Sequence, residues 1–159
     1  MIAQVLRTTL LALGAGFLCQ LAQAWLESQY FTEFLKANLI NILIALLAVN
    51  SATMGIVLTK LRELIEKHGN GGEFKETRAQ FLLSVKEQVV LIGAAILLLT
   101  VQQSRFTKDI PNADLFFGSA IAAIFIYSMM ILYDTAKGVL IIIDYSADAL
   151  YLPVDRHTK

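Results

Sequence analysis

Four uncharged runs of amino acids constrain this chain more than any other feature of its sequence. They cover residues 8–26, 37–59, 88–104 and 115–133, and a charged residue stands at each of their ends. A helix needs about 20 predominantly apolar residues to cross the hydrocarbon core of a bilayer, which is about 30 Å thick. The sequence therefore predicts an all-α integral membrane protein, with four transmembrane helices arranged as a four-helix bundle.

The composition favours a membrane protein over a soluble domain. Hydrophobic residues make up 57% of the chain and charged residues 16%, whereas soluble domains carry about a quarter charged residues. The 13 Lys and Arg residues balance the 13 Asp and Glu residues, so the formal net charge is zero. We therefore expect the lipid bilayer as a partner and no direct binding to a nucleic acid.

The distribution of Lys and Arg predicts the orientation of the spans, because cytoplasmic segments carry an excess of these residues. Ten of them lie before the first span, between the second and third spans or after the fourth. The other two connections hold only Lys36, Arg105 and Lys108. We therefore predict a multi-pass protein with both termini in the cytoplasm. The short connections between the spans favour a cell inner membrane.

The first 24 residues also fit the pattern of a secretory signal peptide. An apolar stretch follows a basic start, and Ala22, Gln23 and Ala24 form a small-x-small sequence of the type cleaved by signal peptidase. We favour retention of this segment as the first span. Cleavage would leave the orientation of the other three spans unchanged.

Helical periodicity continues beyond the spans on the side assigned to the cytoplasm, so helices 2, 3 and 4 are predicted to have cytoplasmic extensions. Residues 60–87 are predicted to form a helical hairpin, with a turn at the glycine-rich segment 68–72. Residues 134–152 are predicted to form an amphipathic helix ending near Pro153. The sequence contains no linker or internal repeat, so we treat residues 1–159 as a single membrane domain.

Small and polar residues form a stripe along one face of the predicted second helix. Its members recur every three or four residues: Asn38, Asn41, Ala45, Ala48, Ala52, Gly55 and Thr59. The first helix carries a similar stripe, made of Thr8, Ala12, Ala15, Cys19 and Ala22. Small residues allow membrane helices to approach closely. Three interpretations stay open: the two stripes pack against each other within one subunit, the second helix lines a water-filled pore in an oligomer, or its stripe forms an interface between subunits.

Asn50 lies on another face of the second helix, near the middle of the span. An amide without a hydrogen-bond partner is costly in hydrocarbon, so Asn50 is predicted to find one. The candidates are Ser119, Thr100 and a second copy of Asn50, and the last would make Asn50 a determinant of oligomer formation. The alternative is an internal hydrogen bond within the subunit. The fourth helix has its own predicted close-packing patch, formed by the pairs Gly118–Ala122 and Ser119–Ala123.

Asp134 and Lys137 are three residues apart at the inner end of the fourth span, where their side chains can form an ion pair. Such a pair usually marks the membrane interface. If the helix lay deeper in the membrane, the same pair could handle ions or protons.

The sequence shows no constellation for catalysis, and we expect a protein that is not an enzyme and uses no cofactor or metal. An intramembrane hydrolase needs a nucleophile with a base, paired aspartates or a metal site within its spans. His68 and His157 lack the spacing of metal ligands, and Cys19 is the single cysteine, which excludes an intrachain disulfide.

We therefore predict a non-enzymatic homo-oligomer that acts as a membrane scaffold or anchor. Its hairpin and C-terminal helix would recruit a soluble cytoplasmic protein. The hairpin residues assigned to that contact are Arg62, Lys67, Phe74, Lys75 and Arg78. The alternative is an oligomeric ion channel or a membrane-disrupting effector, of the kind found in bacterial defence or toxin systems, with the stripe of the second helix facing the pore.

Overall fold

The computed structural model describes residues 2–68, 75–107 and 111–151. These parts form four α-helices: α1 (Ile2–Trp25), α2 (Tyr30–His68), α3 (Lys75–Gln102) and α4 (Ala113–Tyr151). A short 3-10 helix covers Arg105–Thr107, and the described residues form no strand. The predicted all-helical fold is confirmed. Residues 69–72 of the predicted turn, Phe74 and residue 152 of the predicted last helix lie outside the described residues.

Each helix contains a segment that is long and apolar enough to cross a membrane. These segments are Val5–Trp25, Tyr30–Lys60, Ala79–Gln102 and Ala113–Leu140. Large apolar side chains remain exposed along them, among them Trp25, Val90 and Leu97. Apolar surface on this scale is unusual on a soluble monomer and suits contact with lipid. The fold is therefore consistent with a multi-pass membrane protein.

Two of the helices are longer than a membrane crossing requires. α2 and α4 have 39 residues each, which at about 1.5 Å per residue gives a length of about 58 Å. A hydrocarbon core is about 30 Å thick. Both helices continue past the charged residue that ends their uncharged run, Lys60 in α2 and Asp134 in α4.

The two short connections lie at one end of the bundle, which we call the short-loop end. Glu27 follows α1 with a φ of 51°, and the amide of Ser28 donates to the carbonyl of Gln23 at 3.0 Å. This arrangement is a Schellman cap, which satisfies carbonyls at the end of the helix. At the start of α4, Asn112 has a φ of 60° and its carbonyl accepts the amide of Phe116 at 3.2 Å. We call the opposite end the amino-terminal end, because α1 begins there.

α4 is the central helix of the bundle, since it packs against α1, α2 and α3. In the most apolar 18-residue stretch of α4, 44% of the residues are buried, against 11–17% in the corresponding stretches of the other three helices. α2 also packs against α3, whereas the packing of α1 is almost entirely on α4. The fold is therefore three helices arranged around a fourth.

The main core lies where α2, α3 and α4 meet. Its fully buried members are Leu35, Leu39, Leu43, Ala95, Ile121 and Ala122. In α2 the three leucines recur every four residues and so share one face of the helix. Toward the amino-terminal end, Val57 and Phe81 form a second cluster, with Val139 packed against it.

A glycine allows α1 to approach α4 closely. A Cβ atom at Gly16 would lie 2.5 Å from the carbonyl oxygen of Ser119 and 2.7 Å from the amide nitrogen of Ala123. Both of these atoms belong to the backbone of α4, so they cannot move aside as a side chain would. Gly118 and Ala123 are buried at this contact, and Ala122 is buried in the main core. The close-packing patch predicted on the fourth helix is confirmed.

Candidate functional site

The small and polar stripe of α2 faces away from the bundle. Its exposed members, which we call the α2 stripe, are Asn41, Ala45, Ala48, Ala52, Gly55 and Thr59, while Asn38 is half-buried. Leu39 and Val57 point into the core. Because successive residues of a helix are rotated by about 100°, the α2 stripe lies on the side of α2 opposite to these core residues. A Cβ atom at Gly55 would meet nothing within 4 Å.

Most polar groups near this surface bond to the backbone of their own helix. The Asn38 amide donates to the carbonyl of Phe34 at 3.0 Å, and the Thr59 hydroxyl donates to the carbonyl of Gly55 at 3.0 Å. Asn41 is exposed and its side chain makes no hydrogen bond to the described residues. The α2 stripe therefore presents the free amide of Asn41 near the short-loop end and small apolar residues along its middle.

The stripe of the first helix packs against α4. Ala12 is 2% exposed and forms a cluster with Tyr127 and Ile131, and Cys19 packs against the core that contains Ile121. The interpretation in which the stripes of the first and second helices pack against each other is therefore wrong. Periodicity identified both faces correctly, but it could not tell which neighbour each face would have.

Asn50 finds its partner within the subunit. Its side-chain amide donates to Gln88 Oε1 at 2.8 Å, and the two residues are 1% and 0% exposed. The bond joins α2 to α3 in the interior, so none of the partners considered from the sequence is the observed one. Asn50 Oδ1 and Gln88 Nε2 have no hydrogen-bond partner among the described residues.

A second polar contact ties α1 to the first turns of α2 at the short-loop end. Gln20 Nε2 donates to Thr32 Oγ1 at 2.6 Å, and the backbone amide of Thr32 donates to Gln23 Oε1 at 3.1 Å. No contact of these residues was predicted from the sequence. Two glutamines spaced three apart in an apolar helix were the available signal.

A cavity of about 370 Å³ lies between α1, α3 and α4 at the amino-terminal end. We call it the amino-terminal cavity. Its lining includes apolar side chains, hydroxyl groups, two carboxylates and one ammonium group. The polar and charged groups of the lining include Ser84, Glu87, Tyr127, Asp134, Thr135 and Lys137.

The two carboxylates of this cavity lie near one another. Glu87 is half-buried, and Tyr127 lines the cavity beside it. Asp134 is close enough for its charge to act on both groups. Tyr127 is 7% exposed and is held by its packing in the cluster with Ala12 and Ile131. Sequence analysis treated Glu87 only as the charge that precedes the third span.

Asp134 and Lys137 both line the amino-terminal cavity. Their predicted ion pair is not among those of the described residues, where Lys60 and Glu63 pair at 2.8 Å on the surface of α2. Asp134 and Lys137 are both exposed. The structure thus brings the two residues to one cavity together with Glu87.

The residues predicted to contact a cytoplasmic partner are only partly described. Arg62 is exposed on the part of α2 that extends beyond the apolar segment. The backbone of Lys67, Lys75 and Arg78 is helical, but their side chains lie outside the described part of the structure. Among the described residues, no group of three or more His, Cys, Asp or Glu side chains is placed to hold a metal ion.

Comparison with known proteins finds no relative of this chain. No protein family model, curated protein sequence or solved structure matches this chain. The class defined by the fold alone is an all-helical protein with four helices long and apolar enough to span a membrane.

Proposed function

We propose that the protein is a non-enzymatic, multi-pass inner-membrane protein whose subunits assemble through the α2 stripe into a homo-oligomeric scaffold. The exposure of the α2 stripe carries this proposal, because small residues are the ones that let membrane helices approach closely. In the described part of the subunit, nothing lies within 4 Å of a Cβ atom at Gly55. A second copy of α2 supplies a partner with the same narrow surface.

The pattern of hydrogen bonds favours dry contact between helices over a pore. The side chains of Asn38 and Thr59 already bond to their own helix, and the middle of the α2 stripe carries only Ala and Gly among its exposed residues. A water-filled path would be lined by groups that bind water or ions. The exposed amide of Asn41 favours the channel alternative, but this amide could equally form a hydrogen bond between two subunits.

The scaffold role rests on the amino-terminal end of the bundle, which we assign to the cytoplasm from the distribution of Lys and Arg. α2 continues there past Lys60 for two further turns, and α3 begins at Lys75 before its apolar segment. These extensions carry mixed charge and present Arg62 on the surface. We propose that they recruit a soluble cytoplasmic protein.

Replacing Gly55 with leucine is expected to dissociate the oligomer into smaller species. The new side chain has free space within the subunit, so it leaves the bundle intact while it blocks the close approach of a second α2. Native mass spectrometry of the full chain released from its own membrane measures the subunit number. Gly93→Leu is the matched control, because Gly93 is also exposed and open but lies on α3.

An unchanged subunit number in Gly55→Leu would contradict the proposed interface. The channel alternative has a separate test in the assembled protein, with Ala48→Cys in a Cys19→Ser background. If the new thiol reacts with a membrane-impermeant reagent, the α2 stripe faces water and the scaffold interpretation is overturned. The same reagent should leave that thiol unmodified if α2 packs against α2.

Reversing three charges of the extensions is expected to release the cytoplasmic partner while the oligomer persists. The variant combines Arg62→Glu, Lys67→Glu and Arg78→Glu, because like charges brought together across an interface oppose binding strongly. The measurement is the amount of the cross-linked partner recovered with the protein from native membranes. The control combines Lys36→Glu and Arg105→Glu, which reverses exposed charges at the short-loop end. A partner retained by the first variant, or lost from both, would contradict the proposed contact.

A further inference from the structure

The amino-terminal cavity presents many hydrogen-bond acceptors. The hydroxyl of Ser84 donates to the carbonyl of Phe81 at 2.8 Å, and the hydroxyl of Thr135 donates to the carbonyl of Ile131 at 3.0 Å. Such hydroxyls have given their hydrogen to their own helix, so they offer other groups only oxygen lone pairs. Tyr127 lines the same cavity. The wall therefore suits a ligand that donates hydrogen bonds.

The two carboxylates of the cavity favour binding of a cation. Glu87 and Asp134 repel each other, and among the described residues neither carboxylate has an ion-pair partner. A charged group at the level of the membrane is costly unless an opposite charge or hydrogen bonds compensate it. A ligand ammonium group placed between the two carboxylates would remove the repulsion. Lys137 stands on the same cavity and offers a positive charge to an anionic part of the ligand.

Val5, Leu83 and Ile131 form an apolar part of the wall, and the polar residues Thr8 and Gln80 also line the cavity. The volume of about 370 Å³ lies within the range of about 300–1,000 Å³ that is typical of small-molecule sites. Glu87 and Asp134 stand where the uncharged runs of α3 and α4 meet charged sequence, which is the level of lipid headgroups once the bundle is inserted as proposed.

We propose that the amino-terminal cavity binds the headgroup of a phospholipid that carries a primary ammonium beside its phosphate, as phosphatidylethanolamine does. The ammonium lies between Glu87 and Asp134, the phosphate contacts Lys137, and the apolar wall receives the first part of the acyl chains. A quaternary ammonium headgroup carries the same charge but donates no hydrogen bond, so the acceptor-rich wall discriminates against it.

The test is a lipid titration of the full chain in detergent, read by native mass spectrometry. Phosphatidylethanolamine and phosphatidylcholine with the same acyl chains are compared, and the first is expected to bind about tenfold more tightly, the effect of one lost charge-assisted hydrogen bond. Glu87→Gln and Asp134→Asn should each weaken binding of phosphatidylethanolamine about tenfold. They should weaken binding of phosphatidylcholine less, because its headgroup loses the charge attraction but has no hydrogen bond to lose. Asp114→Asn is the control, because it removes an exposed carboxylate of α4 at the short-loop end.

Equal affinity for the two lipids, or wild-type binding by both cavity variants, would overturn the proposal. If Glu87→Gln fails to fold, Asp134→Asn still decides the question, because Asp134 is exposed. Soluble phosphoethanolamine is the last probe. Displacement of the lipid at equal concentration would assign the cavity to a soluble ligand and overturn the lipid assignment. The assay does not require the oligomer, so its outcome is independent of the test at Gly55.

Discussion

Replacing Gly16 with leucine is expected to separate α1 from α4 and to lower the stability of the protein strongly. The Cβ atom alone would lie 2.5 Å from the carbonyl oxygen of Ser119, and leucine adds three more carbon atoms. Overpacking a core costs about 1–3 kcal/mol, and more when the opposing atoms cannot shift. Here they belong to the backbone of α4, and α1 has no other extensive neighbour. Thermal unfolding of the detergent-solubilised protein measures the loss.

Gly14→Leu is the matched control for this prediction. Gly14 lies two residues away on the same helix, and a Cβ atom there would meet nothing within 4 Å. Both variants exchange glycine for leucine in the same apolar segment, so differences in helix propensity and hydrophobicity cancel. Equal unfolding temperatures for the two variants would show that the tight approach of α1 to α4 is not needed for stability.

Replacing Asn50 with leucine is expected to destabilise the contact between α2 and α3. The change removes the bond to Gln88 Oε1 and leaves a fully buried amide without a partner. An unsatisfied buried polar group costs about 1–3 kcal/mol, and hydrogen bonds between membrane helices contribute at most about 2 kcal/mol. We therefore expect a loss of about 1–2 kcal/mol in the free energy of unfolding, measured by titration with denaturing detergent.

The double variant Asn50→Leu with Gln88→Leu provides the decisive comparison. It removes both amides, so no orphaned polar group remains, and its loss should be smaller than the sum of the two single losses. Additive losses would show that the two side chains do not interact in the folded protein. The free donor at Gln88 Nε2 and free acceptor at Asn50 Oδ1 suggest that the double variant recovers most of the stability.

The positions of the helices could be predicted from the sequence, because the charged residues and the length of each apolar run are local features of the chain. Lys60 and Asp134 were predicted to end spans within longer helices, and α2 and α4 do continue past them. The close packing at Ser119 and Ala123 could also be predicted from the sequence. Small residues four apart on a membrane helix leave a groove, and this holds for any helix that packs into it.

Neighbours could not be predicted in the same way, because they depend on which helices meet in three dimensions. Ala12 and Ala48 belong to similar stripes, yet Ala12 is buried against α4 and Ala48 is exposed. The need of Asn50 for a partner followed from its position in the span. Gln88 escaped notice because it was the first residue of the predicted third span, whereas it lies well inside α3 and is fully buried.

The amino-terminal cavity escaped prediction for a related reason. Glu87, Tyr127 and Asp134 come from two helices, and each has an ordinary local explanation as a charge or an aromatic ring near the end of a span. They can act on one ligand only because the folded bundle brings all three to the same cavity. Convergence of this kind is set by the crossing of α3 and α4, which hydropathy does not encode.

The central position of α4 has a consequence for the synthesis of the protein. α1 leaves the ribosome first, but its main neighbour begins only at Ala113, after α2 and α3 have been made. During that interval the face of α1 around Gly16 has no permanent partner. The bundle therefore closes late, by a contact between distant parts of the chain, and formation of such contacts is slow compared with local pairing. A mutation in the last helix should thus leave the contact face of the first one uncovered and expose it to cellular quality control.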